Sequence, residues 1–155
     1  MKIEDEIQSS FRNEKHKAIV NLQFTQLAVT NKLGEMFKKH DISLQQYNVL
    51  RILRGQHPNS ASIGLIKERM LDKNSDVSRI IDRLKRKKLV VRKECKFDRR
   101  QKDVTISNSG LTLLEISDND LACLEKVIGS ISDADAIKLN AILDEIRKNL
   151  YSNNI

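Results

Sequence analysis

The side chains best suited to chemistry lie in one basic segment between Lys67 and Lys102. This segment holds 15 Lys and Arg residues against 6 Asp and Glu residues, a net charge of +9. The whole chain of 155 residues carries +7, so the remainder carries −2 and the entire positive excess lies in this segment. Such a localised patch favours a polyanionic partner, although a solvated basic face has the same composition.

The first half of the segment predicts a helix with polar side chains at its start. Apolar residues recur at helical spacing from Val77 to Leu84, and Asn74 or Ser75 is expected to cap a helix that ends near Lys87. Counted from Ser75 the helix has 13 residues, roughly 20 Å at the usual rise. Polar side chains at its start are suited to base edges in a major groove or to phosphates. They are Lys73, Asn74, Ser75, Asp76, Ser78, Arg79 and Arg83.

Two carboxylates interrupt this basic helix. Asp76 would repel phosphates, so we expect it to accept a hydrogen bond from cytosine or to cap the helix. Asp82 is expected to pair with an arginine of the same chain.

The second half of the segment predicts a β-hairpin with a charged tip. Leu89–Arg92 and Val104–Ile106 are short β-prone runs, and the stretch between them is polar and basic. Guanidinium groups on such an exposed tip suit a narrow minor groove. The cationic residues concerned are Arg99, Arg100 and Lys102.

Helices must position these two elements. A long first helix is predicted from about Lys15 to Lys39, after a polar start that is frayed or packs on a partner. Ser43 and Gln46 form a capping box for a second helix, and Ser62 is expected to cap a short helix that ends at Leu71. Two further helices are predicted, over 107–131 and from a cap at Ser132 to about residue 150. The fold class is therefore mainly α with a small β-hairpin wing, a winged helix-turn-helix.

The wing residues resemble a known family. Asp98-Arg99-Arg100 followed by Val104, Ile106, Ser107 and Gly110 resembles the wing signature of MarR-type regulators, D-x-R-x-x-x-V-x-L-T-x-x-G. Val77 to Leu84 is similar to the recognition helix of that family, and the likeness extends over roughly residues 15–150. Two departures are Lys88, where the family usually has a glycine, and Ile106-Ser107 in place of Leu-Thr. A glycine at position 88 would adopt a left-handed conformation cheaply.

The resemblance implies one MarR-like domain over 1–155, with dimerisation helices in 1–40 and 108–155 and a winged DNA-binding region in 41–107. It implies a homodimer that reads a palindromic operator in double-stranded DNA, with Asp98 positioning an arginine and Arg99 or Arg100 entering the minor groove. Leu139, Leu143, Ile146 and Leu150 step by 3 or 4 residues, which suits a dimer seam or an intramolecular helical hairpin. The family often binds small phenolic or lipophilic effectors. A pocket of this kind is expected to be lined by Phe24, Leu27, Tyr47 and Leu50, but these residues are equally suited to a core, the interpretation that we favour.

Other classes of function find little support in the sequence. No catalytic motif, phosphate loop or cofactor fingerprint occurs, so we expect neither an enzyme nor a cofactor. His16, His40 and His57 lack ligand spacing, and Cys95 and Cys123 form no CxxC pair, so a metal site is not expected. No signal peptide or membrane span is recognisable, which favours the cytoplasm. Two alternatives to a sequence-specific regulator are a winged-helix protein-interaction module and a nonspecific nucleoid-binding protein.

Overall fold

The computed structural model describes residues 2–8, 10–94 and 102–152. Seven helices and three strands lie in these ranges. They are α1 (Ile3–Ile7), α2 (Glu14–Lys38), α3 (Leu44–Arg54), β1 (Ala61–Ser62), α4 (Ile63–Arg69), α5 (Val77–Arg86), β2 (Val90–Glu94), β3 (Lys102–Ile106), α6 (Asn108–Ile128) and α7 (Asp133–Ser152). The order helix, short helix, helix, hairpin confirms the winged helix-turn-helix predicted from the sequence. We call residues 43–110 the winged unit.

The predicted capping box opens α3. The Ser43 hydroxyl accepts from the Gln46 backbone N–H at 3.2 Å, and the Gln46 side chain accepts from the Ser43 N–H at 3.0 Å. These bonds satisfy two backbone donors that a helix start leaves free. The helix buries Val49, Leu50 and Leu53, which form the centre of the core.

The wing belongs to a three-stranded antiparallel sheet in the order β1-β3-β2. Val90 pairs with Ile106, Arg92 with Val104 and Glu94 with Lys102, which confirms the predicted hairpin. The third strand, β1, pairs Ala61 with Val104. It was not predicted, because a strand of two residues carries no alternating pattern.

Helix α5 is shorter than predicted and has a different cap. It covers Val77–Arg86, 10 residues, and the carboxylate of Asp76 accepts from the Arg79 N–H. Neither Asn74 nor Ser75 is the cap. The Asp72 carboxylate instead accepts from the Asn74 N–H at 3.0 Å and from the Ser75 hydroxyl at 2.9 Å. Asp72 thereby holds both residues in the turn that precedes the helix.

Lys88 adopts a left-handed conformation, with φ of 60°, which settles whether it takes up this strain or the helix ends in another way. The Lys88 N–H donates to the Lys85 carbonyl and the Leu89 N–H to the Leu84 carbonyl. This is a Schellman motif, and its usual apolar contact is available because Leu84 and Leu89 are both buried. Lys88 therefore occupies a position at which a glycine would be less strained.

Ser107 and Gly110 join the wing to α6. The Ser107 hydroxyl donates to the Lys88 carbonyl at 2.8 Å and accepts from the Gly110 N–H at 3.1 Å. A Cβ on Gly110 would lie 2.4 Å from the Leu89 carbonyl oxygen, too close for any side chain. The motif residues that resemble the family signature thus have a packing role at this junction.

The chain divides into two compact units, residues 1–117 and 118–155. In the first unit, α2 confirms the predicted long helix. The preceding α1 was missed, and it buries Ile3 and pairs Glu4 with Lys17 of α2, with Oε1 and Nζ 2.5 Å apart. In the second unit, Ser132 caps α7 as predicted, and none of the 20 residues of α7 is buried.

Candidate nucleic-acid interface

The turn of the helix-turn-helix is held from α3. The Asn48 side chain accepts from the Leu71 N–H at 3.0 Å, across 23 residues of sequence. The short helix α4 starts at Ser62, whose hydroxyl accepts from the Leu65 N–H. These bonds fix both ends of α4 and so determine where α5 begins. Sequence reasoning missed Asn48, because a lone asparagine on a helix carries no pattern.

Helix α5 separates an apolar face from a basic one. Val77, Ile81 and Leu84 are buried, which anchors one face in the core. The opposite face exposes Ser78, together with Arg79, Arg83 and Arg86 at positions i, i+4 and i+7. Among the described residues these three arginines have no hydrogen bond or ion pair. Their donors are therefore available to an external acceptor.

The residues before α5 are more constrained than the sequence predicts. Lys73 and Asn74 are exposed in the turn, and the Lys73 ammonium donates to the Glu68 carbonyl. Ser75 is half-buried, and its hydroxyl is bonded to Asp72. Asp76 is occupied as the helix cap, the second of the two roles expected for it.

The tip of the wing lies outside the described residues. Asp98, Arg99 and Arg100 fall in the gap between Glu94 and Lys102, as does Cys95. Lys102 is the first residue of β3, and only its backbone belongs to the described part of the chain. The minor-groove role of these residues stays a prediction. What the structure does place is the base of the wing, packed on α5 through β2.

Asp82 pairs with an arginine, and that arginine is in the wing. Arg92 Nη1 of β2 lies 2.7 Å from Asp82 Oδ1 on the basic face of α5. The Arg92 side chain is 22% exposed and that of Asp82 is 56% exposed. The pair thus joins the two elements expected to meet DNA.

The four residues predicted for an effector pocket are not brought together. Tyr47 and Leu50 are buried in the core, where the Tyr47 ring stacks on Phe37 with centroids 4.1 Å apart. Phe24 and Leu27 are exposed on α2. None of the four lines the cavity of about 1100 Å³ that lies between α2, α3 and α5. That cavity is lined by Thr30, Asn31, Gly34, Glu35, Lys38, Asp41, Ile42, Ser43, Leu44, Gln45, Gln46, Arg83, Arg86 and Lys87.

One wall of this cavity links the end of α5 to the turn after α2. Lys87 Nζ lies 2.8 Å from Asp41 Oδ2 and also donates to the Asp41 carbonyl. Asp41 itself has a left-handed backbone, with φ of 54°. The end of α5 is therefore linked to the cavity through an ion pair and a backbone contact.

The described residues contain no group of three or more His, Cys, Asp or Glu side chains placed to hold a metal ion. The helices within the described ranges also include none that is both long and apolar enough to span a bilayer. The Cys123 side chain is outside the description, as is Cys95.

The fold and the basic face of α5 define a class, the winged helix-turn-helix proteins. A sequence model of the MarR family matches residues 40–101, which covers most of the winged unit. PecS, an HTH-type transcriptional regulator of Dickeya dadantii, is 23% identical over 137 residues, or 87% of this chain and 82% of PecS. The winged unit is thus similar to the MarR family, in agreement with the wing signature, and the proteins of this family are DNA-binding transcription regulators rather than enzymes.

Solved structures share the fold over nearly the whole chain. MepR of S. aureus, in complex with DNA, superposes with a TM-score of 0.76 at 20% identity, covering 84% of this chain and 96% of MepR. A MarR transcription factor from Planctomyces limnophilus is 29% identical with a TM-score of 0.68, covering 87% of this chain and 98% of the other. The shared fold thus extends well beyond the winged unit.

Proposed function

We propose that the chain is a dimeric repressor that reads a palindromic operator and responds to a small-molecule effector, in the cytoplasm of a bacterium. The observation that carries the proposal is the exposed face of α5. The side chains of Ser78, Arg79 and Arg83 on this face make no hydrogen bond or ion pair with the described residues of the chain. Arginine donates two bonds to the major-groove edge of guanine, and serine bonds to several bases. The likeness to MepR, whose structure holds DNA, supports the same use here.

The test is selection of bound duplexes from the native genomic DNA, followed by affinity measurements on the selected site. We expect Arg79→Ala and Ser78→Ala to lower affinity for the selected site more than for a scrambled duplex, by about tenfold. Lys15→Ala, an exposed change on α2, serves as control. Equal losses on both duplexes would favour nonspecific binding, and absence of binding at low salt would favour a protein partner.

The wing tip supplies the second contact in this proposal. Asp98 positions an arginine, and Arg99 or Arg100 enters the minor groove, with Lys102 at the base of the tip. We expect Arg100→Ala to weaken binding most where the selected site has a narrow, A·T-rich minor groove. Insertion of G·C pairs at that place should remove the difference between the variant and the wild type.

Dimerisation is proposed from the apolar residues that the chain leaves uncovered. Leu139, Ile146 and Leu150 are 47%, 40% and 63% exposed on α7, and Leu143 is half-buried. On α2, Ile19 and Leu27 are also more than half exposed. An apolar surface of this extent marks an interaction site. A second copy is the proposed partner, because two half-sites on one face of DNA require two winged units.

Light scattering and sedimentation test the dimer. Leu139→Glu combined with Ile146→Glu is expected to convert a dimer to a monomer, since each buries a charge in the seam. Asn140→Glu places the same charge on the neighbouring exposed position of α7 and should leave the dimer intact. A wild-type chain that is monomeric at micromolar concentration contradicts the proposal.

The effector is proposed to occupy the cavity between α2, α3 and α5, in place of the pocket expected from the sequence. Arg83 and Arg86 of α5 line it together with Lys87, the residue that follows the helix, so an occupant would meet the end of α5 directly. Gly34→Phe should fill the cavity, since a Cβ at Gly34 meets no heavy atom within 4 Å. A panel of phenolic compounds that lowers DNA affinity of the wild type and of Gly34→Ala should fail on Gly34→Phe.

A further inference from the structure

One ion pair joins the recognition helix to the first strand of the wing. Arg92 and Val90 point to the same side of β2, because side chains alternate along a strand. Val90 is buried, so this side faces α5, and the Arg92 guanidinium reaches Asp82 at 2.7 Å. Only Nη1 makes the contact, with a single carboxylate oxygen.

The stability of the fold does not account for this pair. Arg92 Nε is buried without a hydrogen-bond partner in the described part of the chain, which is unfavourable. Asp82 is more than half exposed, and an ion pair so open to water contributes little to folding. An apolar residue in place of Arg92 would avoid the unfavourable burial.

Attraction to DNA does not account for the pair either. Asp82 lies between Arg79 and Arg83 on the basic face of α5. Its negative charge there opposes the approach of phosphates, since each neutralised phosphate contributes to affinity. The pair thus adds little to the stability of the fold, and its carboxylate opposes DNA binding. Its position between α5 and β2 suggests another role.

We infer that Asp82 and Arg92 are positioning residues that hold the wing at a set angle to the recognition helix for DNA binding. The inference rests on the proposed function. Two contact elements on a rigid link bind more tightly than the same elements on a loose link, because the second contact forms at a higher effective concentration. From Arg92 the antiparallel register runs directly to the pair Glu94 and Lys102, where the tip begins.

Asp82→Ala tests the inference by the sign of its effect. Charge alone predicts tighter binding, because a carboxylate leaves the DNA-facing surface. Positioning predicts binding weaker on the order of tenfold on the selected duplex. Glu68→Ala removes a carboxylate from the same basic segment without touching Arg92, and it should leave affinity unchanged or tighter by about twofold.

Substitutions at Arg92 separate positioning from folding. Arg92→Met removes the buried Nε and is expected to keep or raise the midpoint of urea unfolding, yet to weaken DNA binding on the order of tenfold. Arg92→Lys should retain most of the affinity, because one nitrogen suffices for the single contact. A loss of binding that follows the loss of stability in all variants would overturn the inference.

Hydrogen exchange in the free protein gives a readout that needs no DNA. Arg92→Met should speed exchange of the β2 and β3 amides several-fold, with α3 unchanged. If the wild type selects no DNA sites, the proposed function fails. Hydrogen exchange alone then shows whether the Asp82–Arg92 pair holds the wing. If the wild type selects sites and Asp82→Ala binds as tightly or more tightly, only the positioning inference fails.

Discussion

The winged unit and the helices that flank it place the same residue types in opposite surroundings. Leu50, Ile66 and Leu84 of the winged unit are fully buried, whereas Leu27 of α2 and Leu150 of α7 are 57% and 63% exposed. In the described part of the winged unit, a side-chain cap opens each of α3, α4 and α5. In α7, by contrast, no residue is buried. The core side chains of the winged unit are thus covered by their own chain, whereas α2 and α7 each present apolar side chains that their own chain leaves exposed.

Gly110→Ala is expected to have the largest effect, and it tests how tightly the winged unit is packed. A Cβ there would lie 2.4 Å from the Leu89 carbonyl oxygen and 2.7 Å from Ile106 Cγ1, so backbone must move. We expect a loss of about 3 kcal/mol in the free energy of unfolding. Gly55→Ala is the matched control, since its Cβ meets nothing closer than 3.5 Å. Urea unfolding that finds equal effects would show that this junction is loose.

A gain in stability is expected where the winged unit is strained. Lys88→Gly should raise the free energy of unfolding by about 1 kcal/mol, because glycine adopts a positive φ without strain. Lys88→Ala removes the same charge and keeps the Cβ, so it separates charge from backbone conformation. If the two variants are equally stable in urea, the strain at this position is negligible.

The flanking helix α2 should respond differently, with helix propensity alone. A Cβ at Gly34 meets no heavy atom within 4 Å, so Gly34→Ala is expected to add about 0.7 kcal/mol. The thermal midpoint measures the gain. A lower thermal midpoint for Gly34→Ala would show that Gly34 is covered in solution. The exposure of α2 would then differ less from that of the winged unit.

The smallest effect is expected at the contact of α1 with α2. The hydrogen bond from Lys17 holds the pKa of Glu4 below its ordinary value of 4.5. A carboxylate with a lowered pKa stabilises the fold above its unfolded pKa, and this contribution is lost as pH falls through the folded value. Glu4→Gln should therefore lower the thermal midpoint slightly at neutral pH, with the difference vanishing in acid. Glu6→Gln, on the exposed side of α1, should show no such pH dependence.

The sequence predicts the parts of this fold that depend on periodic apolar residues or on pairs of residues at a fixed spacing. The capping box at Ser43, the hairpin and the long helices follow from spacing. At Lys88 the sequence leaves open a left-handed residue or a different helix end, and the structure has the left-handed residue. The cap of α5 could not be chosen from the sequence, because Asn74, Ser75 and Asp76 are all good caps. Asp72 decides among them, through bonds that depend on the folded turn.

Contacts between distant segments explain what the sequence missed at the site. Asn48 reaches Leu71 across the fold, and Arg92 reaches Asp82 from the wing. A single polar residue carries no periodicity, so such partners emerge only when the helices pack. The residues expected for a pocket were ambiguous for a related reason. Tyr47 and Leu50 share the apolar pattern of a cavity wall and of a core, and packing places them in the core.

The Ser107 hydroxyl has a mechanical consequence. It donates to the Lys88 carbonyl at the end of the recognition helix and accepts from the Gly110 N–H in the first turn of α6. This oxygen atom therefore joins the ends of the two helices, beside the hydrogen bond from the Ser107 N–H to the Leu89 carbonyl. We therefore expect a tilt of the first turn of α6 to displace the end of α5, because the two share the hydrogen bonds of this hydroxyl.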